Sequence, residues 1–69
     1  MSIDTIATDY PILKFFQYAH LPPHLQEISK PFADCAMEMA LAVPNGAEAS
    51  AGLRKLLEAK DCFVRAALP

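Results

Sequence analysis

Leu53-Arg54-Lys55-Leu56-Leu57-Glu58-Ala59-Lys60-Asp61-Cys62-Phe63-Val64-Arg65-Ala66 decides how this chain folds. Stepped at about 100° per residue, it reads as a helix with two distinct faces. Arg54, Glu58, Asp61 and Arg65 fall on one line. Leu53, Leu56, Leu57, Phe63, Val64 and Ala67 fill a broad apolar arc, and Lys60 sits near the middle of that arc. A lysine inside an apolar arc needs an anion, a route to water, or both.

The stretch upstream supplies a partner for this helix. His20-Leu21-Pro22-Pro23 reads as a helix start, because proline is tolerated in the first turn, where its missing N–H has no partner anyway. From there Leu25, Ile28, Phe32, Ala36, Met39 and Val43 recur at helical spacing on one face. Glu27, Lys30, Asp34 and Glu38 mark the outer face, and Met37 and Leu41 add apolar groups there, which points to a second buried surface. Pro31 interrupts the pattern. Either one helix kinks there, or a short helix ends and Ser29 caps the next; one kinked helix over residues 18–43 is the favoured reading.

Pro44-Asn45-Gly46 is the turn. Asn45 is expected to cap the second helix, with Glu48 completing a capping box. Gly52 weakens the early part by about 1 kcal/mol relative to alanine. The second helix is expected over residues 47–67, ending before Pro69. Residues 1–17 read as an N-terminal arm, extended at first. Three of the six aromatic residues, Phe15, Phe16 and Tyr18, lie in the stretch 14–18, which must therefore dock on something. The fold class is all-α: one antiparallel helical hairpin, residues 1–69, with an N-terminal arm.

Size and composition add a constraint. A chain of 69 residues buries only about 60% of the surface that its unfolded form exposes. Yet 54% of the residues are hydrophobic, more than two short helices hide from each other. Self-association into a compact homo-oligomer resolves the mismatch. The net charge of −2 argues against non-specific DNA or RNA binding but leaves room for a small anionic ligand on a local basic cluster. No apolar run reaches the roughly 18 residues of a membrane span. Met1 to Asp9 carries two aspartates and no basic residue, unlike a signal peptide. A soluble cytoplasmic protein is the default expectation. Cys35 and Cys62 read as reduced, packed thiols, with a bridge between the helices as the alternative.

Candidate sites are few. His20 and His24 have the i, i+4 spacing of a metal pair, but Pro22 and Pro23 lie between them and no third ligand is suitably spaced, so no metal is expected. No nucleophile elbow or phosphate-cradling glycine loop is present, no cofactor is expected, and an enzyme is not the reading. The Arg54–Glu58–Asp61–Arg65 stripe is either a solvated ion-pair ladder or an anion site in which the carboxylates orient the arginines. Lys60 either snorkels or meets the ligand. Tyr18 is either core or a stacking platform for a base. Lys30 can pair with Asp34 on the surface.

Two blocks, Tyr18 through Phe32 and Leu53 through Ala66, resemble small phage proteins that share a helical-hairpin domain. That domain occurs in anti-CBASS cyclic-nucleotide sponges and in one type of Thoeris anti-defence sponge. The resemblance covers residues ~15–67 and is most specific in the Tyr-x-His-Leu-Pro start and the spacing of Arg54 and Lys60. It implies a non-enzymatic protein, acting in the cytoplasm of the infected bacterial host. Such a protein sequesters cyclic di- or trinucleotide immune messengers without cleaving them. It also implies compact oligomers, often hexamers, with ligand pockets between subunits. The ligand set it implies is Tyr18 (with Phe15 as runner-up) stacking on a base, His20, Lys30 on phosphate, and Arg54, Lys60 and Arg65 from the second helix. Lys30 stands about one turn from the expected place, and Pro31 and Phe32 depart from the pattern. The rival reading is a non-catalytic hairpin that binds a host protein through its apolar face.

Overall fold

The computed structural model describes residues 10–69. The extended arm expected at the start of the chain falls largely on residues 1–9, outside that range. From Pro11 onward the chain is instead helical, with proline in the first turn of a 3₁₀ segment. A 3₁₀ helix, Pro11–Phe16, is followed by α1, Pro23–Ala42, and α2, Ala47–Ala66. The described residues contain no strand. The two long helices pack against each other and the 3₁₀ helix lies against both.

α1 begins at Pro23 rather than Tyr18. Pro22 sits just outside with φ −56° and ψ 152°, and its carbonyl accepts the amides of Leu25 and Gln26 at 2.9 and 3.0 Å. Two consecutive prolines explain the boundary, because each disfavours helical geometry in the residue before it. Leu21 and Pro22 are therefore held out of the helix. The chain enters through a turn in which the Leu21 amide donates to the Tyr18 carbonyl at 3.0 Å.

Pro31 lies inside α1, which runs on to Ala42 as one helix with no new start at Ser29. The proline lacks the N–H that would bond the Glu27 carbonyl, a loss that tertiary packing must offset. Val43, the residue before Pro44, is extended at φ −125° and ψ 154° and ends the helix.

The expected Asn45 cap is not used. The N-cap of α2 is Gly46, in an extended conformation, and no side chain bonds the first-turn amides. The Gly46 carbonyl instead accepts the Ser50 amide at 2.9 Å. With Gly46 in the cap position, Asn45 is one residue too early for its side chain to serve the first-turn amides.

Tyr10, Leu13, Phe16, Ala36 and Leu53 form the buried core, and Ile12, Phe32, Ala33, Met37, Ala40, Ala49, Leu56 and Leu57 pack around it. The buried face of α1 differs from the one predicted by large apolar residues. Leu25, Ser29 and Ala36 are buried, whereas Met39 and Val43 are 47% and 44% exposed. Met37, assigned to the outer side, is half-buried against the core. Small side chains explain the shift: Ser29, Ala33, Ala36 and Ala40 form the inward stripe, where little bulk separates α1 from its neighbours. A pattern led by Leu, Met and Phe overlooks such a seam.

No helix among the described residues is long and apolar enough to cross a membrane.

Candidate functional site

The turn between the 3₁₀ helix and α1 carries Tyr18 and His20 at the edge of the core. Leu13, Phe16, Gln17, Tyr18, Ala19 and His20 form one wall of a pocket of about 400 Å³, and Ala33 and Met37 of α1 form the other. Leu13 and Phe16 are buried and anchor the wall to the core. Tyr18 is half-buried and His20 exposed. The arrangement offers flat rings and aliphatic surface with a few polar tips, which suits an aromatic ring that carries polar substituents.

Lys30 lies on α1, and its ammonium donates to Asp34 Oδ2 at 2.6 Å. Both side chains are more than half exposed. The Asp34 hydrogen bond and charge, with the Tyr18 phenol as a further influence, raise the lysine above its ordinary pKa.

The second-helix residues are distributed differently. Arg54 and Arg65 are exposed. Eleven residues apart on one helix, they are separated by about 16 Å along its axis. The i, i+4 ladder does not form: the ion pairs among the described residues are Lys30–Asp34 and Lys60–Asp61. Arg65 Nη2 instead lies 3.5 Å from Cys62 Sγ. Lys60 is 13% exposed, donates to the Phe15 carbonyl at 3.0 Å, and pairs with Asp61 Oδ1 at 3.0 Å. The lysine of the apolar arc meets its partners within the fold.

One chain therefore brings Tyr18 and His20 together in the entry turn, leaves Lys30 about two turns into α1 on Asp34, and spreads Arg54, Lys60 and Arg65 along α2. Sequence reasoning missed Gln26. Its Nε2 donates to the Leu21 carbonyl at 2.7 Å and the Ala19 carbonyl at 3.4 Å, which ties down the turn that carries His20. The spacing carries no signal for this, since the acceptors are backbone groups outside the helix.

Cys35 is half-buried and Cys62 exposed, both as free thiols. The packed-thiol reading holds in part for Cys35 and fails for Cys62, which sits beside the polar line of α2 rather than within its apolar arc. Cys35 lines a second, apolar cleft of about 290 Å³ between the helices near the turn, with Met39, Leu53 and Leu56 among its other walls. His20 lies in the entry turn and His24 in the first turn of α1. Among the described residues no group of three His, Cys, Asp or Glu could hold a metal ion. No protein-family model, curated protein or solved structure matches the chain.

Proposed function

We propose that this protein is a non-enzymatic sponge for cyclic oligonucleotides, binding cyclic di- or trinucleotide immune messengers and holding them intact. The observation that carries the reading is the Tyr18–His20 pocket, backed by Leu13, Phe16, Ala33 and Met37. Such a slot accepts a nucleobase by stacking, at about 1–3 kcal/mol per base. Its volume of about 400 Å³ is near the lower end for a whole small-molecule site. The remainder of a cyclic dinucleotide, with one negative charge per phosphodiester, must lie outside it.

A second copy of the chain supplies the missing walls in this reading. Phe15, Met39, Leu41, Val43, Phe63 and Leu68 are each 44–59% exposed in the single chain, an apolar surface that favours association into a homo-oligomer, with a hexamer as the implied state. Arg54 and Arg65, too far apart to meet one phosphate from one chain, can face phosphates from neighbouring subunits. Burial of the ligand between subunits gives the slow release that sequestration requires. The reading places the protein in the cytoplasm of an infected bacterial cell.

Calorimetry with a panel of cyclic di- and trinucleotides, paired with native mass spectrometry, tests this proposal. Bound nucleotide at fixed stoichiometry, recovered unchanged after denaturation, supports it. Absence of heat and of thermal shift across the panel at micromolar protein counts against it.

The same exposed apolar residues favour one other reading, a hairpin that docks on a host protein. Arg54→Ala would then leave function intact, whereas Leu57→Asp would abolish it.

A further inference from the structure

The wall that carries Tyr18 and His20 has little regular structure of its own. Its internal bonds include Leu13 N–H to the Tyr10 carbonyl at 3.0 Å, Gln17 N–H to the Lys14 carbonyl at 3.4 Å, and Leu21 N–H to the Tyr18 carbonyl at 3.0 Å. Short 3₁₀ segments with such geometry are weakly held. Two side chains from the long helices brace it from outside. Lys60 of α2 reaches the Phe15 carbonyl across 45 residues of sequence. Gln26 of α1 reaches the carbonyls of Leu21 and Ala19. Tyr18 lies between the two braces, and His20 lies within the second.

The Lys60 brace has the character of a built contact. Its side chain is 13% exposed, and Asp61 balances the charge at 3.0 Å. An ammonium has three protons, and two are directed at these partners. A half-buried cation so engaged has little left for a ligand phosphate, and releasing it would leave an unpaired charge in an apolar arc.

We propose that Lys60 and Gln26 are positioning residues, which hold the Leu13–Leu21 wall in place and so keep the Tyr18–His20 pocket formed before a ligand arrives. The inference rests on the ligand reading only where it calls that pocket the base site; the brace itself is a property of the free protein. It separates Lys60 from the ligand-contacting role that its match to a basic position of the second helix implies. Preformed walls spare a ligand the cost of ordering them, so loss of a brace weakens affinity without removing a contact.

The free wild-type protein provides the first measurement. The Lys60 ammonium should exchange more slowly than the exposed Lys55 ammonium in nitrogen-resolved spectra and show coupling to the Phe15 carbonyl. A Lys60 signal that exchanges as fast as that of Lys55 would overturn the brace, whatever the protein binds. Lys60→Met should raise amide exchange at Gln17 and Leu21 selectively, Gln26→Leu should do so at Leu21, and Lys60→Arg should restore protection at Gln17. Unchanged exchange in folded Lys60→Met would also overturn it. Where the wild type binds a cyclic dinucleotide probe, Lys60→Met should weaken it about tenfold, with the salt dependence of binding unchanged. A loss accompanied by a flatter salt dependence would assign Lys60 to the phosphate and sink the positioning role.

Discussion

Phe32 of α1 and Phe63 of α2 stack across the hairpin, with ring centroids 5.7 Å apart and ring planes 27° from parallel. Phe63 nevertheless remains 59% exposed. One face of the ring serves the fold and the other meets solvent, beside a shallow hollow lined by Ile28 and Pro31. Phe63→Ala should destabilise the chain by about 0.5–1.5 kcal/mol for the lost aromatic pair, plus the buried area removed, as read from urea unfolding. If self-association covers the outer face, Phe63→Asp should also lower the mass measured by light scattering. An unchanged oligomer mass in a folded Phe63→Asp variant would place the subunit contact elsewhere.

Leu53 occupies the opposite situation. It is 3% exposed and belongs to the one cluster in which α1, α2 and the entry segment meet. Leu53→Ala should cost about 2–5 kcal/mol through lost burial and the cavity left behind. A chain of this size has roughly 3–10 kcal/mol in total. The variant should therefore show a thermal midpoint far below that of the parent, or no cooperative transition, by circular dichroism. Leu41→Ala is the matched control for the dissociated chain: Leu41 is 52% exposed there, and its truncation should change the stability of the single chain by no more than about 0.5 kcal/mol.

These two leucines mark how far the sequence could be read. The amphipathic pattern of Leu53–Ala66 and the double proline at Pro22–Pro23 are local signals, and the two helices follow from them. The inward stripe of α1 was obscured because Ser29, Ala33, Ala36 and Ala40 carry little hydrophobic weight, while the larger Met39 and Val43 edge the cleft between the helices and stay 47% and 44% exposed. At the candidate site the anomaly of Lys60 was visible, since a cation in an apolar arc demands a partner. That the partner is the Phe15 carbonyl was not, because a main-chain acceptor has no letter in the sequence. The absent Arg54–Glu58–Asp61–Arg65 ladder is the complementary case: helical spacing permits such pairs, and their small net energy in water does not compel them.

If the entry pocket takes a base, Tyr18 should dominate its affinity. Tyr18→Ala removes the stacking face and should weaken a cyclic dinucleotide by about 1–3 kcal/mol, while Tyr18→Phe should keep most of the affinity. His20→Ala should have a smaller effect, because His20 is more exposed at the mouth of the pocket. Titration calorimetry on proteins of unchanged oligomer mass separates these outcomes. Full affinity in Tyr18→Ala would remove this pocket from the ligand site.

The Lys30–Asp34 pair predicts a pH dependence of definite sign. Asp34 raises the folded-state pKa of Lys30 above its ordinary 10.5, chiefly by accepting its hydrogen bond and secondarily by its charge. A group held above its unfolded pKa contributes stability that is fully present below the unfolded value and lost as pH rises through the folded one. The contribution is thus intact at neutral pH and fades above about pH 10.5. Both groups are solvated, so the effect is small and screened by salt. Thermal midpoints measured from pH 9 to 12 should fall more steeply for the wild type than for Lys30→Met, and added salt should narrow the gap. Parallel slopes would mean that the pair contributes nothing to folding stability. In that case Lys30 would be as free to meet a phosphate as an unpaired surface lysine.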